Sequence, residues 1–191
     1  MLVGALPATL SSALSDIPTG VFGHSVGALI GFELATSLHE CHVVKPCHLF
    51  FSSCVAPDVI SHAAWLHRLP DPELMDALRK MNGTPEDVLR NRELMILLLP
   101  ALRADFEKSE TYSYREIPPL NCPITLFGGR WGPDVSLSQL TNWAPQTSTG
   151  CDTYILDGDH FFLHTARGHL LTIVAEKLTP DPKKIVRDKD S

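Results

Sequence analysis

Gly23-His24-Ser25-Val26-Gly27 stands between a short apolar run, Thr19–Gly23, and a longer segment, Val26 to about His39, with apolar residues around nearly its whole circumference. A buried strand followed at once by a buried helix leaves few arrangements for the turn between them. A Gly-x-Ser-x-Gly turn in that setting reads as a nucleophile elbow. The glycines two before and two after the serine let strand and helix approach closely, and the strained turn lifts the Ser25 hydroxyl above the sheet. The same turn sets the Val26 N–H at a helix N-terminus, where a developing oxyanion is stabilised.

The rest of the chain follows as an α/β layout. Residues 3 to 14 have helical spacing, and His48–Ser52 is a second buried strand, so strand, helix and strand form a right-handed parallel crossover. From Asp71 to about Tyr112 strand signals vanish. Starts led by Pro72, by Thr84-Pro85 and by Asn91 announce three helices, the last with Pro100 as an expected kink. Its apolar residues lie on several faces, which calls for several partner surfaces; a helical insertion over a pocket, with a sheet below and an apolar ligand between, would supply them. Strands resume at Pro123–Phe127 and Thr153–Leu156, separated by a helix from Leu137 to Trp143 and followed by a closing helix to Leu178. The expected organisation is one α/β domain over 1–191. It has about four parallel strands, a helical insertion at 71–112 and a polar tail at 180–191.

A serine hydroxyl needs an imidazole to remove its proton. Of nine histidines, His160 follows a strand near the end of the chain, in Asp157-Gly158-Asp159-His160-Phe161-Phe162-Leu163; His164 and His169 fall in the next helix and read as surface residues. An acid that orients the base belongs after the preceding strand. The loop Gly128-Gly129-Arg130-Trp131-Gly132-Pro133-Asp134-Val135 holds one carboxylate, Asp134, which either orients His160 or caps the helix starting near Ser136.

Other chemistries fare worse. With 16 Lys+Arg against 22 Asp+Glu the formal charge is −6, and no basic run is long enough to track a phosphate backbone, so nucleic-acid binding is disfavoured. His39, Cys41, His42, Cys47 and His48 crowd together without metal-ligand spacing and read as a helix end and a strand start. Trp131 and Trp143 read as packing groups. The odd number of cysteines, five, with no Cys-x-x-Cys pair, points to reduced thiols. With no stretch long and apolar enough to span a bilayer, a cytoplasmic protein that does not engage membranes is expected.

These residues resemble the type II thioesterases of fatty-acid, polyketide and nonribosomal-peptide synthases, within the α/β-hydrolase fold. The likeness is carried by Phe22–Ala28, Phe32-Glu33-Leu34-Ala35, Leu66–Leu74, Leu99–Phe106, Cys122–Thr125 with Gly128-Gly129, and Gly158–Leu163. It implies hydrolysis of acyl groups from the phosphopantetheine thiol of an acyl carrier protein or peptidyl carrier domain, without a cofactor or metal. Ser25 would be the nucleophile, His160 the base, Val26 N–H the oxyanion donor and residues 71–112 the lid over the acyl pocket. Two departures accompany the likeness. The family's acidic position falls on Gly132, two residues before Asp134. The strands that precede the elbow in the family have no counterpart here, so the chain is expected to form the C-terminal half of the sheet. The elbow strand would then be an exposed edge, and one oxyanion donor would be missing. The competing expectation is a catalytically impaired carrier-binding or regulatory fragment of the same fold. A malonyl-type acyltransferase, which also uses a Gly-His-Ser motif, fits the Gly128-Gly129 loop and the strand-then-histidine ending less well.

Overall fold

The computed structural model describes residues 18–41, 45–59, 65–81, 83–132 and 135–179. The helix expected over 3–14 and the tail at 180–191 lie outside them, as does Asp134. Four strands, β1 (Gly20–His24), β2 (His48–Ser52), β3 (Ile124–Gly129) and β4 (Cys151–Leu156), pair in parallel in the order β1-β2-β3-β4. The registers run Gly20 opposite His48, Leu49 opposite Ile124, and Ile124 opposite Cys151. This is the parallel α/β sheet expected, with β3 and β4 each extended by two residues at one end.

Strand alternation explains why both faces are covered. Leu49 and Phe51 of β2 and Ile124 and Leu126 of β3 join one cluster, beneath α1 (Val26–Glu40) and α5 (Leu137–Thr141). Their neighbours Phe50 and Phe127 point the other way, into a cluster with Phe162, Leu170 and Ile173 of α6 (Phe162–Thr165) and α7 (Arg167–Leu178). Helix α1 is buried along Ala28, Leu29, Phe32, Ala35 and Leu38, as its all-round apolarity requires. Each of its buried leucines and Phe32 contributes about 1.5–3 kcal/mol relative to exposure, and each alanine methyl about 1 kcal/mol or less. Trp143 is also packed as expected: it is fully buried, touches Phe32 and Phe51, and donates Nε1–H to the Cys54 carbonyl at 2.9 Å. Trp131 is not a packing group, being 67% exposed. It lies in a loop, where no periodicity reports which way a ring turns.

The three expected helices are present as α2 (Asp71–Met81), α3 (Glu86–Arg90) and α4 (Arg92–Glu110), and α4 remains one helix through Pro100. They do not pack as expected. Leu74, Leu78, Leu89, Met95 and Leu99 form a small core of their own, while Ile96 and Leu97 are 62% and 74% exposed. The many-faced apolarity of α4 is therefore divided between this satellite core, solvent and a cavity described below. The unit is tied down by polar bonds. The Glu110 carboxylate accepts from the backbone N–H groups of Leu66 (2.7 Å) and His67 (3.2 Å) and pairs with His67 Nδ1. Arg103 donates to the His67 carbonyl (2.8 Å) and to Asp71 (2.5 Å), and the Tyr112 hydroxyl donates to Glu33 of α1 at 2.6 Å.

Among the described residues β1 is an edge strand, with Phe22 45% exposed. No helix among them is long and apolar enough to cross a membrane.

Candidate active site

Ser25 sits between β1 and α1 with φ 53° and ψ −124°. A non-glycine residue held in left-handed backbone costs of order 1–3 kcal/mol and persists only where its surroundings impose it. Here they do. The Ser25 N–H donates to the Ser52 carbonyl at the end of β2 (2.8 Å), and the Ser25 carbonyl accepts from Ala28 N–H (2.9 Å), starting the helix. The two motif glycines play unequal parts. A Cβ on Gly23 would lie 2.2 Å from the Gly27 carbonyl oxygen, so only glycine permits this approach of strand to helix. A Cβ on Gly27 would meet nothing within 4 Å among the described residues. Close approach thus requires the first glycine alone, a correction to the symmetric role expected from the motif. Val26, the first residue of α1, has a backbone N–H with no intrahelical acceptor.

His160 comes from the far side of the sheet. The strands before Ser25 and His160 are the first and last of the four described strands, three inter-strand spacings apart, about 14 Å at the usual separation of neighbouring strands. The loop after β4 recrosses that distance. Gly129 allows it: a Cβ there would lie 2.1 Å from the Asp159 carbonyl oxygen, so the end of β3 and the histidine loop lie almost in contact. The loop is fastened by Trp131 N–H to the Gly158 carbonyl (3.0 Å) and by Phe161 N–H to Asp159 Oδ1 (2.9 Å). His160 ends up 5% exposed, its ring 5.0 Å from that of His24. Ser25, Val26 and His160 line one cavity of about 230 Å³. Its apolar wall is Leu78, Met81, Leu102, Phe106 and Phe161, with Thr84, Asp105 and Ser109 as polar points. All but Phe161 come from the helical unit. Gly83 presses so closely on the Phe161 ring that a Cβ would lie 1.9 Å away.

Asp134 lies outside the described residues. Its alternative task is taken by another group: α5 is capped by Ser136, whose hydroxyl accepts from Gln139 N–H while the Gln139 side chain accepts from Ser136 N–H at 2.9 Å. Gly132 sits against the histidine loop, where a Cβ would be 3.5 Å from His160 N, an ordinary contact. His164 and His169 are exposed, as expected.

Three groups near the site escaped the sequence reading. His24 is half-buried, with Nδ1 3.0 Å from Ser52 Oγ and Nε2 buried without a hydrogen-bond partner among the described residues. Burial first, then the neighbouring His160 and His164, lower its pKa to about 4, so it is neutral near pH 7. Ser52 ends β2 and Ser53 follows it, and together they touch both halves of the site: the Ser52 carbonyl accepts the Ser25 N–H and the Ser53 hydroxyl donates to the His160 carbonyl at 3.2 Å. A polar pair closing an otherwise apolar strand was the available signal. The cysteines stand apart from this chemistry; burial pushes the Cys54 and Cys122 thiols up to about 12, far from reactive thiolates. Of the crowded His/Cys segment, His42 is outside the described residues. His48 is bonded to Thr125 Oγ1 at 2.8 Å and stacked on Phe50.

With this geometry in view, comparison with known proteins is informative. The Thioesterase domain family model matches residues 2–180. The Gramicidin S biosynthesis protein GrsT of Aneurinibacillus migulanus is 41% identical over 86% of this chain and 64% of its own length. Linear gramicidin dehydrogenase LgrE of Brevibacillus parabrevis is 42% identical over 84% of this chain and 62% of its own. This chain thus spans less than two thirds of either relative. Among solved structures, the RedJ thioesterase of prodiginine biosynthesis in Streptomyces coelicolor superposes with a TM-score of 0.84 at 31% identity, covering 91% of this chain and 68% of RedJ. The chain belongs to the thioesterase family, with the α/β-hydrolase fold of the type II thioesterases of nonribosomal-peptide and polyketide pathways.

Proposed function

We propose that the protein hydrolyses acyl thioesters held on the phosphopantetheine arm of an acyl carrier protein or peptidyl carrier domain. The observation that carries this reading is the shared cavity: a strained serine and an imidazole that follow the first and last of the four described strands open on one apolar pocket roofed by helices. Ser25 Oγ attacks the thioester carbonyl while His160 takes its proton, and the oxyanion is met by the Val26 N–H. The tetrahedral intermediate expels the pantetheine thiolate, which receives the proton from His160. Water, deprotonated by the same imidazole, then attacks the acyl-serine; the second tetrahedral intermediate expels Ser25 Oγ, which takes the proton back from His160, and the acid is released. Asp134 orients the imidazole, and residues 71–112 act as the lid shaping the acyl pocket. No cofactor is required, and the site of action is the cytoplasm, where soluble carriers work.

Gly132 favours a second reading, a carrier-binding fragment without turnover, because the family's acid belongs at this position. Fluorophosphonate labelling and turnover of a short acyl-pantetheine decide between them. Hydrolase chemistry requires labelling that disappears in Ser25→Ala. It also requires a fall of about 10⁴-fold in turnover in Asp134→Asn, the size seen when a triad acid is neutralised. Gly132→Asp in the Asp134→Asn background should recover part of that loss, since the site has room for a side chain beside His160. Folded wild-type protein that neither labels nor turns over supports the fragment reading.

A further inference from the structure

Among the described residues two non-glycines hold left-handed backbone, Ser25 at φ 53° and Ser53 at φ 48°. The elbow accounts for the first. The second belongs to no motif, yet such conformations persist only where the surroundings impose them. Ser53 follows β2, the strand beside the elbow strand, and is 6% exposed. Its N–H donates to the Phe127 carbonyl at 2.9 Å, which pins its backbone to β3. Its hydroxyl donates to the carbonyl of His160 at 3.2 Å.

The dipeptide Ser52-Ser53 therefore reaches both members of the candidate pair. The Ser52 carbonyl receives the Ser25 N–H, and one residue later the chain turns left-handed and sends a hydroxyl to the His160 backbone. Other bonds hold the histidine loop from the β3–β4 side, through Arg130 N–H to the Leu156 carbonyl (2.8 Å) and Trp131 N–H to the Gly158 carbonyl (3.0 Å). Ser53 acts on residue 160 itself, from the nucleophile's side.

We propose that Ser53 is a positioning residue: its hydroxyl, aimed by the left-handed turn, fixes the backbone of His160 and so sets the imidazole against Ser25. The bond gives a donor to a carbonyl in a buried setting, where an unpaired acceptor is costly. It also links the two ends of the site without passing through the two outer strands. This inference rests on the hydrolase reading of Ser25 and His160.

Two variants separate the hydroxyl from the strain. Ser53→Ala removes the hydroxyl and keeps the unfavourable backbone; Ser53→Gly removes the hydroxyl and relieves it. Both should slow phosphonylation of Ser25 and lower kcat by the same factor, about 10- to 100-fold, as small misplacements of reacting groups do. KM should stay within about twofold, and Ser53→Gly should melt above Ser53→Ala. The His160 ring resonance in histidine-labelled protein, assigned by its disappearance in His160→Gln, should shift in both. A wild-type rate in either variant, recovery of the rate in Ser53→Gly, or an unmoved His160 resonance overturns the proposal. Wild-type protein that neither labels nor turns over defeats the thioesterase reading instead, and the His160 resonance then decides the role of Ser53 alone.

Discussion

The two sides of the cavity are built differently. Below it the sheet carries Leu49, Phe51, Ile124, Leu126 and Phe127 at no more than 1% exposure, covered by helices on both faces. Above it the helical unit has its own satellite core, leaves Ile96 and Leu97 in solvent, is held together by the carboxylate of Glu110 and the guanidinium of Arg103, and is joined to α1 by the Tyr112 hydroxyl on Glu33. A side held by close packing has one arrangement, whereas a side held by a few polar bonds opens at lower cost. Under the proposed function, reacting groups on the first side and acyl-contacting groups on the second give fixed chemistry with an adjustable pocket.

The largest effect should come from disturbing the lower side at its tightest point. Gly23→Ala drives a Cβ to 2.2 Å from the Gly27 carbonyl oxygen and 2.6 Å from Ala28 Cα, both backbone atoms that move only if the elbow unwinds. We expect a loss above about 4 kcal/mol, the range of exceptional substitutions, seen as insoluble protein or a collapsed urea midpoint. Gly27→Ala is the control. It places its methyl in open space within a helix, where alanine is favoured over glycine by about 1 kcal/mol, and should fold at least as well as the wild type. Equal damage from both would mean that the elbow is not closed by a single contact.

The contrast also explains which parts the sequence disclosed. Strands and helices of the sheet half were legible because each is apolar on the faces that its neighbours cover; β2 was located to the residue. The meeting of the elbow and His160 on one cavity was legible because each follows a strand at a recognisable point in the order of the chain. What stayed hidden depends on partners far away in sequence. The direction of Trp131, the exposure of Ile96 and Leu97, and the idleness of the Gly27 methyl site are set by which surface arrives opposite them, and periodicity does not encode that. Ser53 was hidden for the same reason, since its hydroxyl matters through a residue 107 positions away. The acid side of the site was legible only as one carboxylate with two readings, Asp134 as the group that orients His160 or as a helix cap, with glycine at 132 where the resembling family has its acid.

A smaller effect, confined to the upper side, should follow Glu110→Ala. It strips the acceptor from the Leu66 and His67 N–H groups and from the His67 ring. Leaving such donors unpaired costs about 1–3 kcal/mol each when buried, and less here because Leu66 and His67 are only partly buried and their N–H groups can reach water once the helices shift. Hydrogen exchange should rise by about 10-fold or more across 66–110 while the strands keep their protection, with KM rising and the phosphonylation rate of Ser25 little changed. Uniform loss of protection through β2 and β3 would show that the two sides unfold as one unit.

Acid should act on the lower side. His24 is held neutral, its pKa lowered to about 4 by burial and then by His160 and His164; His48 is lowered in the same direction, by burial and then Lys177, with Asp152 opposing. Above the ordinary histidine pKa near 6.5 both folded and unfolded chains carry these rings neutral, and folding is not penalised. As pH falls from 6.5 towards 4 the unfolded chain binds protons that the folded one refuses, so stability drops across that window and levels off below it. For His24 the drop should reach about 2 kcal/mol after allowance for partial solvent screening. Urea midpoints measured at pH 7.5 and 5.0 should therefore fall, and His24→Asn should flatten the decline. Because Ser52 Oγ lies 3.0 Å from His24 Nδ1 at the same strand end that holds Ser25 N–H, protonation should loosen the support of Ser25 before the helices above it are touched. Exchange data at pH 5.0 should then show β1 and β2 losing protection ahead of 66–110, the reverse of the order produced by Glu110→Ala.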